Sequence, residues 1–79
     1  IGLHLLAKNK HTRPLEYGCG LGHYTQRLFE VCCNGGGVDI STTAIMKAKT
    51  KYPSPQFFVG DLLDKAILQE FKPDCLLMM

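Results

Sequence analysis

The chain has 79 residues, of which 46% are hydrophobic and 20% charged, and its formal net charge is +2. This length allows one domain at most, and the composition is typical of a globular rather than a disordered chain. A charge of +2 is too small to indicate a nucleic-acid partner or an anionic membrane surface. No apolar run reaches the roughly 18 residues that a membrane helix requires, so no membrane partner is predicted.

The four cysteines of the sequence are Cys19, Cys32, Cys33 and Cys75, and they form no C-x-x-C pair. Adjacent Cys32 and Cys33 are a poor frame for a disulfide or a metal site. We therefore predict reduced thiols, no metal site and a cytoplasmic location. Because the chain begins with Ile1 and stops inside an apolar run, we expect it to be part of a longer protein.

The first half of the chain predicts helix, strand, helix and strand in turn. Residues 1–8 have the apolar spacing of the end of a helix, and a first strand is predicted over 15–17. The next helix, over about 22–33, carries one apolar stripe at i, i+4, i+7 and i+8. That stripe consists of Tyr24, Leu28, Val31 and Cys32. The glycines at 35–37 end the helix, and a second strand follows over 38–40.

The second half predicts two further helix–strand pairs. Ser41 is a good N-cap for a helix over 42–51, whose inner face carries Ile45, Ala48 and Tyr52. A third strand is predicted over 56–59, a helix over 62–71 with Leu63, Ile67 and Phe71 inside, and a fourth strand over 74–79. Strands that alternate with helices of about ten residues predict a parallel sheet. Ligands of such sheets bind beyond the carboxyl ends of the strands.

A glycine-rich turn, Gly18-Cys19-Gly20-Leu21-Gly22, follows the first strand. Glycines adopt positive φ readily and let the backbone approach a ligand closely. The helix that follows offers free N–H groups and the positive end of its dipole. The turn therefore predicts a site for a nucleoside cofactor, with a tight turn that binds no ligand as the alternative.

The spacing of the turn and the acid before it favour one kind of cofactor. The dinucleotide pattern is G-x-G-x-x-G, whereas here the pattern is G-x-G-x-G and His23 takes the place of the last glycine. Glu16 would repel the pyrophosphate of NAD but suits a ligand with an ammonium group and a sulfonium, whose carboxylate the loop N–H groups would bind. S-adenosylmethionine has these groups. The alternative for Glu16 is a cap of the loop's own amides.

Two more carboxylates lie at the ends of strands: Asp39 closes the second strand, and Asp61 follows the third. Asp39 is placed to accept both ribose hydroxyls, and Ile40 offers an apolar face to adenine. Asp61 is placed to accept from the adenine amine, and the Leu62 N–H to donate to a ring nitrogen. The alternative for each aspartate is a helix N-cap, although Ser41 is better placed than Asp39 for that role.

No residue of the chain is a convincing catalytic group. His4 and His11 are predicted to face solvent. His23 lies in the first turn after the glycine loop, where contact with a cofactor competes with the simpler role of an exposed helix residue. Tyr24 is predicted to pack.

Together these motifs resemble those of the class I S-adenosylmethionine-dependent methyltransferases, and among them the broad type 11/12 group. The resemblance rests on Leu15–Gly22 as the first motif, Gly37–Ser41 as the second, Gly60–Leu62 as the third and Phe71–Met79 as the fourth strand. It covers nearly the whole chain, with the motifs in the family's order.

The resemblance implies a Rossmann-like three-layer α/β sandwich with four parallel strands in the order 3-2-1-4. This is about half of a seven-stranded fold, so residues 1–79 would form a partial S-adenosylmethionine-binding domain. The implied cofactor-binding residues are Glu16, Gly18, Cys19, Gly20, Gly22, Asp39, Ile40, Asp61, Leu62 and Met78, with Met79 close to the methionine end.

The activity implied by the resemblance is transfer of the sulfonium methyl group to an acceptor, with a small molecule favoured. We expect the general base and the acceptor site to lie beyond Met79, so that these residues alone would be inactive. The fourth strand would be an apolar sheet edge through which the chain could self-associate. A non-catalytic cofactor-binding or interaction module and an NAD-linked oxidoreductase remain as alternatives.

Overall fold

The computed structural model describes residues 13–61 and 64–78. Its elements are, in chain order, β1 (Pro14–Tyr17), α1 (His23–Cys32), β2 (Gly36–Asp39), α2 (Thr42–Lys51), β3 (Gln56–Val59), α3 (Lys65–Phe71) and β4 (Cys75–Met78). The strands form one parallel sheet in the order β3-β2-β1-β4, which confirms the predicted fold class and strand order. The predicted helix over 1–8 lies outside the described residues, together with His4 and His11.

Two neighbouring glycines of β2 show that helices cover both faces of the sheet, because successive strand residues point to opposite faces. A Cβ atom on Gly36 would meet the Phe71 ring of α3 at 2.9 Å, and one on Gly37 would meet the Thr25 hydroxyl of α1 at 2.8 Å. The helix α2 shares the face of α1, because its inner residues pack with Phe57, the sheet neighbour of Gly37. The result is a three-layer sandwich.

This layering follows from the handedness of the crossovers. The chain moves in one direction from β1 to β2 and β3, so right-handed connections place α1 and α2 on the same face. It then returns past β2 and β1 to reach β4, which places α3 on the opposite face. The core on the α3 side consists of Leu15, Tyr17, Val38, Ile67 and Phe71.

The structure corrects the predicted bounds of the second strand. β2 begins at Gly36 and ends at Asp39, whereas the sequence predicted 38–40. In the sequence alone, the glycines at 35–37 indicate the end of the preceding helix. Gly36 and Gly37 instead belong to the strand, because their missing side chains make room for Phe71 on one face and for Cys19 and Thr25 on the other.

The third helix also starts later than predicted. α3 begins at Lys65, and its N-cap is Asp64, whose Oδ1 accepts from the N–H groups of Ala66 at 3.0 Å and Ile67 at 3.3 Å. The alternative role of Asp61 as the cap of this helix is therefore wrong. Ile67 and Phe71 are buried as predicted, and Leu63 lies outside the described residues.

The predicted inner faces of the other two helices are confirmed in part. α1 buries Thr25, Leu28 and Cys32, whereas the predicted Tyr24 and Val31 are half-buried. Leu28 and Cys32 are therefore buried as predicted, whereas the buried Thr25 is polar and gives no apolar signal in the sequence. In α2, Ile45 and Ala48 are buried and Tyr52 is half-buried; Ser41 Oγ accepts from Ala44 N at 3.1 Å, which confirms the predicted N-cap.

The strand β4 lies at one edge of the sheet and is apolar along its length. Leu76 is 50% exposed and Met78 62% exposed. Self-association through this edge stays a prediction.

Arg13 directly precedes β1 and forms hydrogen bonds to the carboxyl end of α3. Its guanidinium donates to the Phe71 carbonyl, with Nε at 3.1 Å, and lies 4.5 Å from the centre of the Phe71 ring. Its backbone N–H donates to Asp74 Oδ1 at 2.7 Å. A positive charge at the carboxyl end of a helix is favourable, because the helix dipole is negative there.

We therefore expect Arg13→Ala to lower the free energy of unfolding by about 1–2 kcal/mol in urea denaturation at low salt. Arg13→Lys keeps the charge but loses the fork of donors, and it should recover part of that loss. Equal stability of the alanine variant and the parent protein would contradict this role.

Candidate functional site

A cleft of about 260 Å³ lies at the carboxyl ends of all four strands. Its lining residues are Tyr17, Gly18, Val38, Asp39, Ile40, Gly60, Asp61 and Met78. The predicted residues that meet here are Gly18, Asp39, Ile40, Asp61 and Met78. The sequence did not predict Tyr17, Val38 and Gly60 as site residues, although each lies within one of the three motifs and directly precedes a predicted site residue. Ligands of open α/β sheets bind beyond the carboxyl ends of the strands, which is where this cleft lies.

Asp39 joins the glycine loop to the start of α2. Its Oδ2 accepts from Gly20 N at 2.9 Å, and its Oδ1 accepts from Ser41 N at 2.9 Å. The side chain of Ser41 caps α2, so Asp39 does not serve as its N-cap. A carboxylate has about four lone-pair sites, and these two bonds leave acceptor capacity for a ligand.

The cleft combines this carboxylate with apolar and aromatic groups. Ile40 is 75% exposed, and Met78 on β4 is largely exposed. Exposed apolar side chains at a concave site with a few polar groups are typical of small-molecule binding. Tyr17 is buried, and its hydroxyl has no hydrogen-bond partner within the described part of the chain.

All three glycines of the loop have positive φ: 73° at Gly18, 56° at Gly20 and 87° at Gly22. They differ in their surroundings. A Cβ atom on Gly20 would have no neighbour within 4 Å, whereas one on Gly22 would lie 2.8 Å from the Phe57 ring and 3.1 Å from Ala48. Gly20 thus leaves open space, and Gly22 lets α1 pack closely against β3 and α2.

The N–H groups of the loop are largely engaged within the protein. Gly18 N and Cys19 N both donate to the Val38 carbonyl, at 2.8 and 3.1 Å, and Gly22 N donates to the Cys19 carbonyl at 3.0 Å. Gly20 N is bound by Asp39. The N–H groups without an intrahelical acceptor are those in the first turn of α1.

Gly20 and Gly22 give a matched test of packing, because both have positive φ and only Gly22 is closely surrounded. We expect Gly22→Ala to lower the free energy of unfolding by about 2–4 kcal/mol, because a left-handed conformation costs a non-glycine residue about 1–2 kcal/mol and the new methyl group would also overlap the Phe57 ring. Gly20→Ala should cost only the conformational part. Equal losses in chemical denaturation would contradict the packing role of Gly22.

Glu16 lies beneath the glycine loop and outside the cleft lining. It is 1% exposed, and its Oε1 accepts from the Thr25 hydroxyl of α1 at 2.5 Å. Its Oε2 has no partner among residues 13–61 and 64–78. Burial raises the pKa of this carboxyl, and the hydrogen bond from Thr25 opposes the rise. In this structure its partner is therefore Thr25, rather than the loop amides of the alternative; its contact with a cofactor stays a prediction.

The raised pKa of Glu16 makes the stability of the fold depend on pH. The folded protein holds this proton to a higher pH than the unfolded chain, for which the ordinary value is 4.5. Its contribution to stability is therefore full below that pH and is lost as pH rises through the folded pKa. Glutamine does not titrate, so Glu16→Gln does not lose stability in this way. Between pH 4.5 and the folded pKa, the parent should therefore lose up to about 1.4 kcal/mol per pH unit relative to the variant.

Urea denaturation from pH 4 to 8 measures this effect. Glu30→Gln is the matched control, because Glu30 is an exposed residue of α1. Parallel pH profiles of Glu16→Gln and the parent protein would show that burial does not hold the proton.

The Cys19 side chain is buried under the loop and does not line the cleft, and its thiol donates weakly to the Gly20 carbonyl at 3.9 Å. The thiol is buried against Ile45, Ala48 and Phe57. Burial, with the nearby charges of Glu16 and Asp39, raises the pKa of Cys19 to about 12. The thiol therefore stays protonated near neutral pH and is a poor nucleophile.

The remaining candidates lie away from the cleft or outside the described residues. His23 is exposed, and its Nδ1 lies 2.5 Å from the Tyr52 hydroxyl at the end of α2. Leu62 and Met79 lie outside the described residues. Within residues 13–61 and 64–78 no group of three or more His, Cys, Asp or Glu side chains is arranged to hold a metal ion. Among the helices of this part of the chain, none has the length and apolar character to span a membrane.

The parallel sheet, its strand order and the helices on both faces define a Rossmann-like α/β domain. The model of the family described as "Methyltransferase domain" matches residues 15–77, and the chain belongs to this family. This confirms the class I S-adenosylmethionine-dependent methyltransferases as its relatives.

Among solved structures, the crystal structure of the MccD protein is similar, with a TM-score of 0.60 and 24% sequence identity. The match covers 75% of this chain and 31% of the MccD chain, so this chain spans less than a third of that protein. At this identity the likeness shows the fold alone. No curated protein sequence matches the chain.

Proposed function

We propose that this chain binds S-adenosylmethionine in the cleft and forms the cofactor-binding part of a methyltransferase that acts on a small molecule. The observation that carries the proposal is the placement of Asp39. This carboxylate ends β2 at the cleft, is held by the Gly20 amide, and keeps acceptor capacity for two ribose hydroxyls.

The other cleft residues fit the remaining parts of the nucleoside. Ile40 presents an exposed apolar side chain beside Asp39, where it would pack against adenine. Asp61 and the Leu62 N–H would bind the adenine edge. The buried Tyr17 hydroxyl is a polar group at the cleft that a ligand could satisfy.

The methionine end of the cofactor would extend toward Met78 and the first turn of α1. The open space over Gly20 leaves room for this end, and the unpaired N–H groups at the start of α1 suit its carboxylate. The cleft volume of about 260 Å³ is below the roughly 300–1,000 Å³ usual for small-molecule sites, which supports a role in holding mainly the adenosine portion.

The bound cofactor supplies a methyl group that its sulfonium already activates. The residues of this chain would contribute by binding and orienting it, since holding two reactants in line accelerates transfer. Asp39 and Asp61 are both assigned to the nucleoside, so we place the general base and the acceptor site outside these 79 residues.

Titration calorimetry with S-adenosylhomocysteine and with NADH tests the proposal. We expect S-adenosylhomocysteine to bind and NADH to give no heat of binding. The opposite result would overturn the proposal and favour an NAD-linked oxidoreductase. Binding of S-adenosylhomocysteine without methyl transfer to any acceptor, when the chain is joined to the carboxyl-terminal half of a related methyltransferase, would instead favour a non-catalytic module.

A further inference from the structure

Cys32 of α1 and Cys75 of β4 lie on the same side of the sheet, near the end where the strands begin. Cys75 is the first residue of β4 and pairs with Pro14, the first residue of β1. Neighbours in register on parallel strands point to the same face, and Pro14 shares its face with Glu16, which touches Thr25 of α1. Cys75 therefore points to the face that α1 covers.

The buried stripe of α1 brings Cys32 to the same end. Cys32 is fully buried and lies seven residues after Thr25, about 10 Å along the helix. α1 runs antiparallel to the strands, so this distance leads from Glu16 toward the start of β1 and β4. Pro14 and Cys75 lie about 7 Å in the same direction from the level of Glu16. The sulfur-bearing side chains are thus at nearly the same level on one face.

The electrostatic surroundings of Cys32 agree with this placement. The pKa of the Cys32 thiol is raised, and burial is the largest cause. The neighbouring Cys75, Cys33 and Asp74 raise it further. Cys75 is half-buried, and a small oxidant can reach it more readily than Cys32. Cys33 is exposed, whereas Cys19 is buried beyond the opposite end of β1.

We propose that Cys32 and Cys75 form a reversible disulfide that fastens α1 to the edge strand β4. The oxidant is a small disulfide such as glutathione disulfide. The Cys75 thiolate attacks one of its sulfurs and releases one glutathione thiolate. The Cys32 thiol then gives its proton to the released glutathione thiolate, attacks the Cys75 sulfur of the mixed disulfide and releases the second glutathione. The protein loses two protons and two electrons, and the disulfide is reduced to two glutathiones.

Intact-mass measurement after oxidation with glutathione disulfide tests the proposal in Cys33→Ser, which removes the competing exposed thiol. We expect a loss of about 2 Da without a glutathione adduct, and a tryptic peptide pair linked between Cys32 and Cys75. The midpoint of thermal unfolding should rise by on the order of 10 °C and return on reduction, because the bond closes a loop of about 40 residues.

Cys75→Ser in the same background should lose both the bond and the rise in midpoint, and should keep the midpoint of the reduced parent. Cys75→Ser is used because Cys75 is only half-buried, so this substitution disturbs the fold less than Cys32→Ser, which changes a fully buried residue. A stable glutathione adduct on Cys75, or a link that persists in Cys75→Ser, would overturn the proposal. These readouts are independent of cofactor binding.

Discussion

Replacing Asp39 by alanine is expected to weaken the binding of S-adenosylhomocysteine about 100-fold. The carboxylate would accept hydrogen bonds from both ribose hydroxyls, and hydrogen bonds to a charged group contribute about 1.5–3 kcal/mol each. At the lower end of this range the two bonds contribute about 3 kcal/mol together, which corresponds to slightly more than 100-fold in affinity. Titration calorimetry on the two proteins measures the ratio directly.

Asp39 also holds Gly20 and Ser41, so this test needs variants that separate the loop from the ligand. Ser41→Ala removes the cap of α2 and costs about 1 kcal/mol of stability, but it should leave affinity within about threefold of the parent. Asp39→Asn keeps one acceptor oxygen, and its affinity for S-adenosylhomocysteine should lie between those of Asp39→Ala and Ser41→Ala. Unchanged affinity in a folded Asp39→Ala would remove the ribose assignment.

Phe71→Ala is expected to lower the free energy of unfolding by about 3–5 kcal/mol. Phe71, the last residue of α3, is fully buried against the sheet, and its ring lies 2.9 Å from where a Cβ atom on Gly36 would be. The Arg13 guanidinium lies over the same ring. A domain of this length has a total stability of roughly 4–12 kcal/mol, so this loss is a large part of it. Circular dichroism during thermal and urea unfolding measures the change.

Phe58→Ala is the matched control, because Phe58 is half-buried and contacts the Phe71 ring edge-on with centroids 6.1 Å apart. We expect it to cost clearly less than Phe71→Ala. Similar losses for the two variants would mean that the core on the α3 face is not centred on Phe71.

Sequence patterns predicted the sheet well because each strand end carries its own signal. The loop at Gly18–Gly22 follows β1, Asp39 is the last residue of β2, and the pair Gly60-Asp61 follows β3. A parallel sheet brings these carboxyl ends together. The same reasoning located most of the cleft. Its polar and apolar residues were predicted from chemistry that does not depend on the details of packing.

The features that the sequence did not predict depend on contacts between distant residues. The partner of Glu16 is Thr25, which no apolar pattern marks as buried. The glycines of β2 looked like a helix stop, because their role depends on side chains that approach from two helices. Arg13 gave no signal, since its partner is the end of a helix 58 residues away.

The central claim is that the cleft at the carboxyl ends of the strands holds an adenosyl cofactor. Amide chemical shifts recorded by two-dimensional NMR during titration with S-adenosylhomocysteine test it most directly. The account predicts the largest shifts at Gly18, Ile40, Gly60 and Asp61, with small shifts at the opposite end of the sheet, around Cys32 and Cys75. Largest shifts at that opposite end, or no shifts at a saturating concentration, would contradict it.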